Sequence, residues 1–353
     1  MRPPATLLDP MTRAAARIAG ARTHGDRPPI PVVLCLDVEP DARHIDLRAP
    51  SAWDGFPRTW ELLDSCRDAI GKRSAGEPHF SWFLRMDSQV QRGYGSLSWP
   101  VDHHPALVDA IRASGDHVGL HVHAWRRDDD RDEWLIDCAD TAWVNDCLTA
   151  AFDAFARAMG VRCTTFRFGE RWMDQAVFAR LEALGVEVDL TPEPGHLPVS
   201  FYEPGERFAG QIPDYRDVPP YPYRPSLRDY RIPDPERTRG AWVLPVTTSR
   251  VPPTLPHRLY RRFVSRRSWG DVSTALVSHH PTLFARIVDD ALSRRSPHLV
   301  LTLRSSAAGR PQLASRIKAN LAALLSRPEA ARFVWVEPAA AVRLLNPPAS
   351  PAS

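Results

Sequence analysis

PVVLCLDVEPD, residues 31–41, decides the fold. Val32 to Leu36 form an unbroken apolar run, and the run ends in Asp37, Glu39 and Asp41. A strand with one face in water alternates apolar and polar residues. A continuous apolar run belongs to a strand covered on both faces, as in a parallel sheet. Parallel neighbours need long crossovers, usually helices, and the sequence supplies them. FPRTWELLDSCRDAI (56–70) has helical spacing, HFSWFLRMD (79–87) is a second strand ending in a charge, and HPALVDAIRASG (104–115) is a helix stopped by glycine. HVGLHVHAW (117–125), TAWVNDCLTAAFDAFARAMG (141–160), CTTFRFGE (163–170), DQAVFARLEALG (174–185) and VEVDLTPEPG (186–195) continue the alternation.

Residues 195–240 interrupt it. They are rich in Pro, Tyr, Arg and Asp, show no period, and read as a long ordered loop or lid. GAWVLPVTT (240–248), a helix near 281–294, PHLVLTLRSS (297–306), a helix over 310–326 and the strand RFVWVEP (332–338) resume the pattern. The class is α/β. Seven or eight β-α units over about 310 residues fit a distorted (β/α) barrel of about seven parallel strands better than an open doubly wound sheet. The expected organisation is one barrel over 29–345 with a Pro-rich insertion at 195–240. Residues 1–28 read as a flexible arm, with a short amphipathic helix available at 11–19.

Composition narrows the function classes. A net charge of +3 is too small to argue for nucleic acid, and no apolar run is long enough to span a membrane. The first residues lack the apolar core of a secretory signal. Cys35, Cys66, Cys138, Cys147 and Cys163 are odd in number and lack CxxC spacing, which reads as reduced thiols in a cytoplasmic protein.

In a parallel barrel, chemistry gathers at the carboxyl ends of the strands. Here those ends carry Asp37, Glu39 and Asp41; Arg85 and Asp87; His121 and His123; Arg167 and Glu170; Asp189; and Arg304. Side chains at i and i+2 of a strand point the same way, so Asp37 shares a face with Glu39, and His117 with His121 and His123. A carboxylate and two imidazoles from neighbouring strands suit Zn²⁺ or a similar divalent ion, with a position left for water. A second carboxylate could then act as general base. Blander readings compete: Asp41 as a cap, His117 as a satisfied structural group, Arg126 to Glu133 as a solvated loop or helix start, and Trp125 and Trp172 as core or rim.

Four stretches, in order, resemble the polysaccharide deacetylase family of the NodB-homology, carbohydrate esterase type: VVLCLDVEPD, SGDHVGLHVHAW, TTFRFGERW and LEALGVEVDLTPEPG. The resemblance covers roughly 30–340 and is strongest from Val32 to Gly195. It implies a distorted barrel that removes N- or O-acetyl groups from sugars with a divalent metal, Zn²⁺ being the first choice. It implies Asp37 as catalytic base, Glu39 and His121 as metal ligands, and Arg167 as the group that orients the base. The family's second histidine lies four residues after the first, where this chain has Trp125, so His123 is the substitute ligand. The family's late Leu-x-His motif reads LTLRSS here, which puts Arg304 where a general acid stands. Arginine cannot shuttle a proton near neutral pH, but it can stabilise an oxyanion or bind an acidic substrate. His104, His123 and His298 are the other candidates for the acid. Arg85, Asp87, Trp125 and Asp189 are the expected substrate contacts.

The leading expectation is a metal-dependent hydrolase acting on a carbohydrate or glycan precursor, with no nucleic acid partner. A degenerate barrel that binds carbohydrate or regulates, and a C–N hydrolase acting on a small non-sugar amide, are the alternatives.

Overall fold

The computed structural model describes residues 27–200, 206–236, 238–251 and 272–346. Its strands are β1 (Ile30–Val38), β2 (Ser81–Arg85), β3 (His117–Val122), β4 (Trp125–Asp128), β5 (Glu133–Asp137), β6 (Thr165–Phe168) and β7 (Val188–Asp189). Then come β8 (Arg207–Ala209), β9 (Trp242–Val243), β10 (Thr248–Arg250), β11 (Val272–Thr274), β12 (Leu299–Arg304) and β13 (Phe333–Trp335).

The main sheet runs β12-β1-β2-β3-β6-β7-β9, and β13 adds to the outer end of β1. Every pairing in it is parallel. Irregular backbone joins its two ends. Thr247 N donates to Val300 O (3.0 Å), Ala275 N to Thr247 O (2.8 Å) and Thr302 N to Ala275 O (3.0 Å). This is the expected distorted barrel, closed by single residues on one side. All nine residues of β1 are buried, as the continuous run requires.

The crossover helices are set by local chemistry. Asp140 accepts from Trp143 N (3.0 Å) to start the helix Thr141–Met159, and Gly160, at φ 68°, ends it. Asp174 does the same for Gln175–Ala183 through Val177 N (2.7 Å). Such caps satisfy backbone N–H groups that have no partner within the helix. Buried Val144, Leu148, Phe152 and Phe155 give the first of these helices its apolar stripe.

One expectation changes. Arg126 to Glu133 is neither a solvated loop nor a helix start: β4 and β5 pair antiparallel across it. The charged spelling hides an apolar face, because the Arg127 guanidinium lies over the Trp134 ring at 5.3 Å. With β8 alongside β5, this hairpin makes a three-stranded sheet outside the barrel. Within 195–240 the described residues are tightly anchored. Tyr215, Tyr223 and Tyr230 are buried, with Tyr215 Oη donating to Arg171 O (2.7 Å) and Tyr230 Oη to Met173 O (3.1 Å). The predicted arm, including the helix at 11–19, lies outside the described residues apart from positions 27 and 28. No helix among the described residues is long and apolar enough to cross a membrane.

Candidate active site

Strand register brings the predicted residues to one level of the barrel. Asp37 pairs with Arg304, Arg85 with His121, and His121 with Arg167. Glu39 leaves the end of β1 and is pinned there by Ser305. Its N–H donates to Ser305 Oγ (3.0 Å), and that hydroxyl donates back to Glu39 O (3.1 Å).

Glu39, His121 and His123 are buried and each offers one ligand atom, with all three atoms within 4.8 Å of one another. His121 Nδ1 lies 2.9 Å from Arg167 O. A carbonyl only accepts, so Nδ1 carries the proton and Nε2 keeps its lone pair. His123 Nδ1 lies 2.7 Å from Glu170 Oε1, while its Nε2 is buried without a hydrogen-bond partner and stands 3.6 Å from Glu39 Oε2. Two ligands about 2.1 Å from one tetrahedral ion are themselves ~3.4 Å apart. The donor set and the unpartnered nitrogen therefore fit a divalent ion.

The electrostatics favour ligand forms at two of the three groups. Burial alone would raise the Glu39 carboxyl, but His123 and Arg304 outweigh it and hold Glu39 well below the usual carboxylate range. Burial pushes the His121 imidazole down to about 4, so it is neutral. Burial also acts to lower His123, but Glu170 outweighs it and the imidazole ends above its ordinary value. Glu170 is pulled down to about 2 by His123 and Arg43, against the effect of burial.

Asp37 is held beside this group by Arg167. The Arg167 Nε–H points to Oδ1 (3.1 Å) and Oδ2 (3.3 Å), Nη1 donates to Leu190 O (2.8 Å) and Nη2 to Glu193 Oε1 (3.2 Å). Burial works against the guanidinium charge, but Asp37 and Glu193 raise the Arg167 pKa further still. Glu193 also accepts from Thr274 Oγ1 (2.7 Å) and faces Arg171 at 3.6 Å.

The four expected substrate contacts, Arg85, Asp87, Trp125 and Asp189, are all fully buried and packed against their neighbours. Arg85 Nε donates to Asp87 Oδ2 (2.7 Å), and Asp87 caps the helix Ser88–Tyr94 through Gln89 N and Val90 N. Trp125 lies under Arg43 (5.5 Å) and edge-on to His44 (5.5 Å). Asp189 accepts from Thr191 Oγ1 (2.6 Å), and burial pushes its carboxyl up to about 7. Arg304 differs from them: its side chain is 39% exposed, and its Nε stands 3.7 Å from Glu39 Oε1. His117 sits at the opposite end of β3 from His121, bonded to Thr165 Oγ1. His298 bonds Ser296 O just before β12 begins, also away from the cluster.

Glu193, Arg171 and Arg43 were not anticipated. Glu193 sits in a Pro-rich turn, TPEPG, which reads as a connection and gives no chemical signal. Beyond Arg43 lies a cleft of about 510 Å³ between residues 44–48 and the outer sheet, lined in part by His44, Arg48, Arg127, Trp134, Glu206 and Arg207.

No known family pattern and no curated protein matches this chain. Solved polysaccharide deacetylases do. A protein assigned to them from Mycobacterium smegmatis aligns over 86% of this chain and 87% of its own, at 15% identity and a TM-score of 0.48. The PuuE allantoinase aligns over 92% of this chain and 95% of its own, at 12% identity and a TM-score of 0.49. A CE4-family pseudoenzyme from Bacillus anthracis aligns over 84% of this chain and 66% of its own, at 9% identity and a TM-score of 0.35. At such distances the chemistry is read from this chain's own residues.

Proposed function

We propose that the chain is a metal-dependent hydrolase that removes an acetyl group, held as an amide or an ester, from a sugar or glycan precursor. One observation carries this reading: the buried meeting of Glu39, His121 and His123 at the carboxyl end of the barrel, with Asp37 two residues before Glu39 on β1. The four sequence stretches that resemble polysaccharide deacetylases support the acetyl-sugar substrate. Five cysteines, all free, suit a reducing cytoplasmic setting.

Glu39, His121 and His123 would hold the ion, which when bound polarises an acyl oxygen and makes water a stronger acid. Asp37 is the acceptor for the proton of the attacking water. Arg167 holds its carboxylate in one orientation, so the base is in place before substrate arrives. Arg304 supplies a permanent positive charge at the mouth. There it suits a developing oxyanion or an acidic group on the substrate.

The test compares metal content of the purified protein with that of His121→Ala and Glu39→Ala, then screens acetylated sugars for acetate release. Stoichiometric metal lost in both variants, with acetate released by wild type, is the expected result. Wild type that takes up no metal under loading refutes it. That outcome favours the second reading, a carbohydrate-binding or regulatory barrel, whose support is the pair of guanidiniums, Arg85 and Arg304, 3.6 and 3.7 Å from Glu39. Metal retained without acetate release from any sugar points to the small-amide hydrolase instead.

A further inference from the structure

We infer that Glu170 is a positioning residue whose carboxylate accepts the Nδ1–H of His123 and orients the ring, so that Nε2 is the nitrogen aimed at Glu39. The inference rests on the metal-site reading above.

A histidine two residues after another on one strand shares its face, and the two rings must avoid each other while aiming at one point. His121 and His123 do so edge-on, with centroids 4.6 Å apart and planes at 86°. Each ring then needs its own acceptor on Nδ1. For His121 the backbone supplies it, as Arg167 O. For His123 a side chain supplies it, Glu170 Oε1 at 2.7 Å.

The chain accepts strain to put Glu170 there. Glu170 and Arg171 have φ of 51° and 60°, a left-handed conformation unfavourable for residues with a Cβ. Such conformations persist only where the surroundings fix them. Gly169 makes room: a Cβ there would lie 2.2 Å from His123 Nδ1. Arg43 holds the carboxylate from behind. Its Nη2 donates to the same Glu170 Oε1 (2.8 Å), and its Nε is anchored on Glu206 Oε1 (2.5 Å) at the edge of the cleft. Glycine, carboxylate and guanidinium all serve one ring. An imidazole whose far nitrogen donates to a carboxylate is also a more basic ligand.

Two readouts test this on Glu170→Ala and Glu170→Gln in the full chain. The first is the His123 tautomer in metal-free protein at pH 8, from long-range ¹H–¹⁵N correlations. The second is Zn²⁺ affinity by competition with a chromophoric chelator. Glu170→Ala is expected to mix the His123 tautomers, leave His121 unchanged, and weaken Zn²⁺ binding by about 10–100-fold. Glu170→Gln keeps an acceptor without the charge, so it is expected to keep the tautomer and bind with intermediate affinity. If Glu170→Ala fails to fold, the glutamine variant decides: Zn²⁺ affinity within threefold of wild type overturns the inference. An unchanged His123 tautomer with unchanged affinity in Glu170→Ala also overturns it. If wild type takes no Zn²⁺, the metal reading fails, and the His123 tautomer alone decides the role of Glu170.

Discussion

Arg167→Met would test whether the barrel's interior charges depend on one another as the geometry implies. Arg167 is buried and holds Asp37 through Nε, Leu190 O through Nη1 and Glu193 through Nη2. Methionine fills much of the same volume and removes the charge. Glu193 keeps Thr274 Oγ1 at 2.7 Å and Arg171 at 3.6 Å, so its loss is partial. Asp37 loses the guanidinium on both its oxygens. Removing one partner of a buried pair costs about 3–5 kcal/mol, because the remaining charge stays desolvated. The Leu190 carbonyl adds ~1–3 kcal/mol if nothing replaces its donor. A destabilisation of at least ~3 kcal/mol is therefore expected from urea unfolding followed by tryptophan fluorescence. Asp37→Asn in the same background removes the stranded charge and should recover ~2 kcal/mol or more, a coupling of the size contacting residues show. Wild-type-like stability in Arg167→Met, or a double mutant additive to within ~0.5 kcal/mol, would refute the claim that Arg167 exists to compensate Asp37.

Asp189→Asn should stabilise the protein above neutrality. Burial raises the Asp189 carboxyl from its ordinary value to about 7, so the folded state binds a proton that the unfolded chain releases between about pH 4 and 7, and wild-type stability falls over that window. Asparagine removes the dependence and gives the unpartnered Oδ2 position a donor. The gain at pH 8 should be ~2–4 kcal/mol in urea midpoints compared at pH 5 and pH 8, and parallel pH profiles count against it. Metal uptake should weaken as pH falls. His123 sits above the ordinary histidine range, so a proton competes for its Nε2 well into neutral pH, while His121, pushed down to about 4, stays available. Zn²⁺ affinity at pH 6 should be about tenfold or more below that at pH 8; a flat profile would place His123 outside the ligand set. Zn²⁺ at 100 times its dissociation constant should add ~2.7 kcal/mol to stability, reversed by chelator, and a thermal midpoint unmoved by either contradicts specific binding.

The fold was legible because its determinants are local. Val32 to Leu36 could only be a doubly covered strand, and Gly160 and Asp174 mark helix ends that the structure shows to be caps. The convergence of Glu39, His121 and His123 was legible for a related reason. Strand parity sets facing, and parallel topology sets the end at which polar residues collect. What could not be read was depth. Arg85, Asp87 and Asp189 have the same spelling as residues at a site's rim, yet each is buried and bonded to a neighbour close in sequence: Asp87, a helix amide and Thr191. Trp125 is core, one of the readings open to it, beside a hairpin whose charged spelling hides the Arg127 stem lying on Trp134. The support for His123 depends on two left-handed residues, Glu170 and Arg171, and nothing in their side chains announces that backbone.

Charge balance links the ion to the substrate. Glu39 already faces two guanidiniums before any ion is considered. A divalent cation beside it must be accommodated by charge the site can shed or move. The His123 proton is one such charge. Arg85 cannot move: it is fully buried and tied to Asp87 and Gln89. Arg304 is placed differently: more than a third of its side chain is in solvent, and β12 ends at that residue. An arginine displaced from Glu39 toward the mouth would meet the substrate end of the site rather than the metal end. In this reading Arg304 is no failed general acid. On the function proposed above it would be a counter-charge to Glu39 at the mouth, suited to an anionic or charge-developing acyl group.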